Sequence, residues 1–144
     1  MKFVLIVDTE KEPSVTVVCN KVTRAVQKIE EICNQADEEL LYGYQADEII
    51  PLALADITCF FTKENKVYAR VEEKEYAVKL RIKQIVELVD DSFIKINQGC
   101  IVKVNAIKRF TASIGGSLQI TLKDGYTDYV ARREVRNIKR RLGL

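Results

Sequence analysis

The sequence predicts a mainly β protein: small antiparallel sheets stacked on one another, with short helices, preceded by a small β-β-α element. Three observations carry that expectation. Short runs alternating apolar and polar side chains recur from about residue 46 onward, as in FIKIN, SLQITL and TDYVAR. Turn-forming residues separate the runs, with Gly115-Gly116 and Asp124-Gly125 as hairpin signals. Apolar spacings of three and four, the mark of an amphipathic helix, occupy only a few short stretches.

In chain order, KFVLIVD and SVTVVCN read as two short strands, with Glu12-Pro13 turning between them. From about Lys21 the period changes. Val22, Ala25, Val26, Ile29, Ile32 and Cys33 place one apolar stripe on a helix over VTRAVQKIEEICNQ, and Asn20 stands where its N-cap belongs. A β-β-α unit of this size cannot bury much core by itself, so residues 1–45 are expected to pack on the rest of the chain or on a second copy. Gly43 closes that unit and Pro51 opens the next, with IIPLALA as linker. Residues 46–144 then form the main domain. DITCFFTKE, KVYARVE and EYAVKL read as strands. RIKQIVELV reads as a helix with Ile82, Ile85, Val86 and Val89 on one side. FIKIN, GCIVKVNAI, IKRFTAS, SLQITL and TDYVAR follow as strands. REVRNIKRRLGL is a last helix turning Val135, Ile138 and Leu142 to the sheet and its bases outward.

Composition bounds the function. Apolar residues are 47% and charged residues 31%, with two prolines, so a packed core is expected and not disorder. The longest apolar run, IIPLALADITCFF, is broken by Pro51 and Asp56 and is too short for a bilayer. MKFVLIVDTE is too short an apolar stretch for a signal peptide, so a cytoplasmic location is expected. Cys19, Cys33, Cys59 and Cys100 form no CxxC pair, and there is no histidine, so no metal site is expected and the thiols read as buried and reduced. Without histidine, Ser-His-Asp and Cys-His catalysis are excluded. No glycine-rich phosphate loop occurs, so neither a nucleotide cofactor nor an enzyme is expected.

The formal net charge of +2 hides a gradient. Residues 1–45 hold five Lys/Arg against eight Asp/Glu, whereas residues 95–144 hold eleven bases against three acids, a local +8. Such asymmetry points to a polyanion-binding segment, although a solvated basic face has the same composition.

The cadence FIKINQGCIVKVNAIKRF, the ending LKDGYTDYVARREVRNIK, DITCFF ahead of both and the Gly-Gly hairpin between them resemble the LytTR DNA-binding domain, a bacterial response-regulator output module. The resemblance covers roughly residues 46–144 and implies a LytTR-like stack of β-sheets that binds double-stranded DNA through loops in successive major grooves. Carried over by position, it implies base contacts from Asn65 or Lys66, from Asn97-Gln98 with Gln98 the closer match, and from Arg132-Arg133 with Arg133 preferred. The first is the loosest transfer, since some relatives carry a histidine there. The chemistry agrees: side-chain amides match adenine's donor–acceptor pair and the arginine fork matches guanine. Lys95, Lys103, Lys108, Arg109, Arg136 and Lys139 are the expected phosphate contacts. Asp8 at a strand end is similar to a receiver's acidic residue, but a receiver's remaining strands and helices are missing. The N-terminal part resembles the lead of compact stand-alone members. Its apolar helix face, with IIPLALA, suggests a homodimer on paired DNA repeats. A small membrane-protein regulator is a further partner the resemblance allows.

Plainer readings stand beside each of these. Asn97-Gln98-Gly99 and TKENK are also turn chemistry, and Arg132-Arg133 also reads as solvated charge. Lys139 suits a helix C-terminus without DNA. Phe60, Phe61, Tyr68, Tyr76, Phe93 and Phe110 would suit an RNA-stacking surface if exposed, though their alternation with aliphatics favours core. A protein-interaction module with an open strand edge is the third class.

Overall fold

A computed structural model describes residues 2–36 and 40–144. The chain divides into two compact units, residues 1–38 and 39–144.

In the first unit, helix α1 (Arg24–Ala36) forms as the apolar spacing requires. Its cap is not Asn20: Thr23 Oγ1 accepts from Val26 N at 3.4 Å, three residues on, as an N-cap does. The two N-terminal strands of the expected β-β-α element do not form. Residues 2–8 and 12–19 enter no ladder, and Phe3, Val4, Leu5, Ile6 and Val7 are all well exposed. A short apolar run is only a candidate strand, and without a neighbour to accept from its N–H groups and donate to its C=O groups it enters no ladder.

The second unit contains ten strands in two antiparallel sheets. The chain runs through β1 (Leu40–Gln45), β2 (Glu48–Ala53), β3 (Cys59–Lys63), β4 (Lys66–Val71) and β5 (Lys74–Val78). Helix α2 (Ile82–Leu88) follows, then β6 (Phe93–Asn97) and β7 (Cys100–Lys103). These seven strands form one sheet in the order β2-β1-β5-β4-β3-β7-β6. The smaller sheet, β10-β9-β8, is made by β8 (Ile107–Ala112), β9 (Leu118–Leu122) and β10 (Thr127–Val130), and α3 (Arg132–Leu142) ends the unit.

Alternation along the central strands explains why the large sheet is buried on both faces. Phe60 and Ile101 point to one side, where they meet Phe93, Leu41, Leu52 and the α2 residues Ile82 and Ile85. Cys59, Phe61, Cys100 and Val102 point to the other, where they meet Ile120 and Leu122 of the small sheet and Ile138 of α3. Val135 and Leu142 pack half-buried on the same core, so α3 turns the expected face inward. On α2 the expected stripe narrows, because Val86 is exposed.

LLYGYQ and IIPLALA fold differently from expectation. They form the β1–β2 hairpin, with Tyr42 opposite Pro51, and β1 joins β5 at Tyr44 and Ala77. Gly43 therefore sits inside a strand and does not end a unit. A Cβ there would lie 2.7 Å from both Leu52 Cδ1 and Tyr76 Cβ, so only glycine lets the hairpin close on the core. Pro51 falls on an edge strand, where a missing N–H is tolerated. Cys59 and Cys100 are buried as expected, but Cys19 is exposed. Burial, then the nearby Asp124 carboxylate, pushes the Cys59 thiol up to about 12, and burial also raises Cys100, so both stay protonated and unreactive at neutral pH.

Candidate nucleic-acid interface

Three turns meet at one end of the second unit. The β3–β4 hairpin closes through Glu64-Asn65, a two-residue loop with φ of 51° and 64° at its two residues, the left-handed pair that a tight hairpin selects. Asn and Gly are favoured in such loops, and Asn65 occupies one of the two positions. The β6–β7 hairpin closes through Gln98-Gly99, with Asn97 paired to Cys100. The third turn is the step from β10 into α3, where Ala131 precedes Arg132-Arg133.

Hydrogen bonds lock the three together. Thr62 N donates to Gly99 O at 2.9 Å, joining the first two tips side by side. Ala131 N donates to Ile96 O at 2.8 Å, joining the third to the second across the sheets. Asn65, Lys66, Gln98, Arg132 and Arg133 are exposed around this junction. Arg133 pairs with Glu134 at 4.0 Å on the surface, a contact worth little. Arg132 and Arg133 open α3, where the helix dipole presents partial positive charge. Two cations there cost roughly 0.3–1 kcal/mol each, a local misfit of the kind that marks a binding surface. Arg136 and Lys139, four and seven residues after Arg132, continue the exposed basic stripe along the helix.

Several of the expected contacts lie elsewhere. Asn97 is 5% exposed, and its amide is fully used within the fold. Nδ2 donates to Asp128 Oδ1 at 3.2 Å and to Tyr129 O at 2.9 Å, while Oδ1 accepts from Gly99 N at 2.8 Å. Both amide hydrogens are used and the oxygen is turned onto Gly99 in a buried site, so Asn97 presents no edge to a base. Lys103 Nζ is also committed, donating to the carbonyls of Leu54 and Ala55 and lying 5.5 Å from the centre of the Phe93 ring. Two of its three N–H donors are thereby spent on the fold itself. Lys108 and Arg109 are exposed on β8, the edge strand across β9 from β10. Arg109 pairs with Thr121, which pairs with Thr127, so they sit at the end of the sheet away from Ala131. Lys95 is half-buried on β6 in a hollow that it shares with Asp90, Asp91 and Glu134.

A polar network behind the tips was not foreseen. Arg70 Nε donates to Asp124 Oδ2 at 2.9 Å and Nη1 to Glu75 Oε1 at 3.3 Å, while Thr58 Oγ1 donates to Asp124 at 3.1 Å. Burial opposes the charge of Asp124, yet the bonds from Tyr126 N, Arg70 and Thr58 outweigh it and hold the carboxyl below its ordinary range. Tyr126 OH donates to Asp128 Oδ2 at 2.8 Å, and burial, followed by nearby Cys100 and Asp128, pushes the phenol up, so it remains a donor. The signal was present in DGYTDYV. Asp124, Tyr126, Asp128 and the core residue Val130 alternate, so they share the inward face of one strand and its turn. Buried polar groups on that face need partners on the sheet opposite.

The six aromatic side chains that would have formed a stacking surface are core. Phe60, Phe61, Tyr76 and Phe93 are buried, and Tyr68 and Phe110 pack half-buried on the second core. Among the described residues no three His, Cys, Asp or Glu converge to hold a metal ion, and no helix is long and apolar enough to cross a membrane.

A sheet stack that gathers three turns and a basic helix end at one place has the form of a loop-presenting module. The LytTr DNA-binding domain family matches residues 47–143, and the chain belongs to that family. It is similar to an uncharacterized HTH-type transcriptional regulator of Staphylococcus aureus strain bovine RF122, at 27% identity over 94% of this chain and 92% of that protein. A counterpart from strain NCTC 8325 shows the same identity and coverage. The fold is similar to the solved LytTr DNA-binding domain of a protein described as a methyl-accepting/DNA response regulator from Bacillus cereus. There the TM-score is 0.69 at 22% identity, over 74% of this chain and 99% of that one. Although those relatives are named HTH-type, no helix-turn-helix pair occurs among the described residues: α1 leads into β1, α2 into β6, and α3 is the last element.

Proposed function

We propose that this protein is a cytoplasmic transcriptional regulator that binds double-stranded DNA sequence-specifically, reading major grooves through its turns. The observation that carries the reading is the convergence of three exposed tips at one end of the fold, tied by the Thr62–Gly99 and Ala131–Ile96 hydrogen bonds. Family membership and the +8 charge of residues 95–144 support it. In this reading Gln98 and Arg133 make the principal base contacts, Asn65 or Lys66 a third, and Arg132 assists at the same corner. Arg136 and Lys139 meet phosphates beside them. Lys95 sits beside the same corner, whereas Lys108 and Arg109 touch phosphate only if the duplex bends toward the far end of the small sheet. The N-terminal unit pairs two copies on repeated sites.

Selection of bound duplexes from a random library, followed by footprinting, tests the reading. Arg133→Ala is expected to weaken binding to the selected duplex by about 1–3 kcal/mol and to relax preference at one or two base pairs, with Gln98→Ala acting at neighbouring positions. Affinity should fall by several orders of magnitude between low and physiological salt if about six phosphates are neutralised. Parent-like binding by both variants rejects the site. A monomer by light scattering that still binds a repeat pair tightly rejects the dimer.

A further inference from the structure

The base-contacting tips proposed above belong to different sheets: Gln98 to the seven-stranded one, Arg132 and Arg133 to the end of the three-stranded one. A rigid ligand read by both demands a fixed spacing between them, since reading geometry tolerates only a fraction of an ångström. Beside the Ala131–Ile96 backbone bond, the Asn97 side chain spans the gap. Asn97 Oδ1 holds the N–H of Gly99, which fixes the Gln98 turn, while Nδ2 holds both Asp128 and the carbonyl of Tyr129, three residues before Arg132. Asp128 is itself fixed at its second oxygen by Tyr126 OH, whose ring packs 5.2 Å from that of Phe61 on β3. Every hydrogen-bonding atom of the Asn97 amide is used, and the residue is buried, so it has one arrangement.

We infer that Asn97 is a positioning residue: clamped to Asp128 and Tyr129, it sets the spacing between Gln98 and the Arg132-Arg133 corner, and so sets discrimination between DNA sequences and not attraction to DNA. This rests on the DNA reading. The attraction comes from exposed cations that the clamp does not touch, so the two properties should separate.

The test compares full-length parent, Asn97→Asp and the double variant Asn97→Asp with Asp128→Asn. Each is titrated by fluorescence anisotropy with the selected duplex and with a scrambled duplex of equal length, across a range of salt. Asn97→Asp sets two carboxylates against each other. It should reduce the preference for the selected duplex by about tenfold or more, the scale of one hydrogen bond to a charged group, while scrambled-duplex affinity and salt slope stay at parent values. The double variant restores a donor–acceptor pair with its polarity reversed and should regain part of the preference. Should Asn97→Asp fail to fold, Tyr126→Phe deletes one bond to Asp128 and keeps the ring; it should lower preference severalfold with scrambled affinity unchanged. Two results overturn the inference: parent-like preference in both Asn97→Asp and Tyr126→Phe, or parallel loss of selected and scrambled binding that the double variant does not reverse. Parallel titration of Gln98→Ala and Arg133→Ala separates the failures. If those two lower the preference and the clamp variants do not, only the clamp falls; if none does, the DNA reading falls with it.

Discussion

Residues 3–7 and residues 93–97 are both short runs of β-forming side chains, and they end in opposite environments. Phe3, Val4, Leu5, Ile6 and Val7 are between 65% and 86% exposed, with no strand beside them. Phe93, Ile94 and Ile96 are 5%, 1% and 0% exposed. The second run has β7 along its edge, Phe60 against one face, and Ile120 and Ile138 in the core on the other. The difference teaches that strand propensity measures how well a side chain fits a pleated, half-buried surface, and the surface has to be supplied by the rest of the fold. More than a hundred residues supply it in the second unit. Some three dozen, with one helix, do not in the first.

The contrast can be broken by matched substitutions. Phe60→Ala, in the centre of the first core, should cost about 3–5 kcal/mol in urea denaturation through lost burial and the cavity left behind. A cost below 1 kcal/mol would mean that the core is not packed as described.

The polar link between the sheets gives the next effect. Arg70 and Asp124 are each less than 15% exposed at the side chain, so Asp124→Asn should destabilise by about 2–3 kcal/mol at pH 7, since it removes the buried one of Arg70's two carboxylate partners and leaves only the more exposed Glu75. The same pair sets an acid limb. Because the folded carboxyl titrates below its ordinary value of 3.8, its contribution is complete above that pH and disappears as the pH falls through the lower, folded value. Stability measured from pH 6 to pH 2 should therefore decline more steeply in the parent than in Asp124→Asn. Equal slopes would remove Asp124 from the acid response.

The smallest effect belongs to the first unit. Phe3→Ala in the isolated chain should change stability by less than about 0.5 kcal/mol, because a side chain already in water has little burial to lose. A larger cost that grows with protein concentration would sharpen the comparison, since it would mean that a second copy covers this run in solution.

How much was legible follows from the same physics. Eight of the ten strands, β3 through β10, and helices α2 and α3 were readable from period and turn residues, because local pattern and final environment agree there. The β1–β2 hairpin was not, since Gly43 and Pro51 look like breakers until the sheet shows one packed under Leu52 and Tyr76 and the other on an edge. At the candidate site Gln98, Arg132 and Arg133 were carried over by position from the family resemblance, and all three are exposed at the junction, as the proposed base contacts require. Asn97, carried over with them, is buried instead. An amide's chemistry is identical whether it faces a base or a buried carboxylate, and only its surroundings distinguish the two.

By itself, then, the sequence determined the class of fold, the succession of strands β3 to β10, the basic last third of the chain and the turns that carry amides and guanidinium groups, because period, turn propensity and charge are properties of neighbours along the chain. Tertiary structure alone decided which apolar runs found partners, that three turns distant in sequence meet at one end, and that Asn97 faces inward while Gln98 faces out. Those outcomes depend on contacts such as Asn97 with Asp128 and Arg70 with Asp124, whose partners lie 31 and 54 residues apart. Such pairings leave no local trace in either segment.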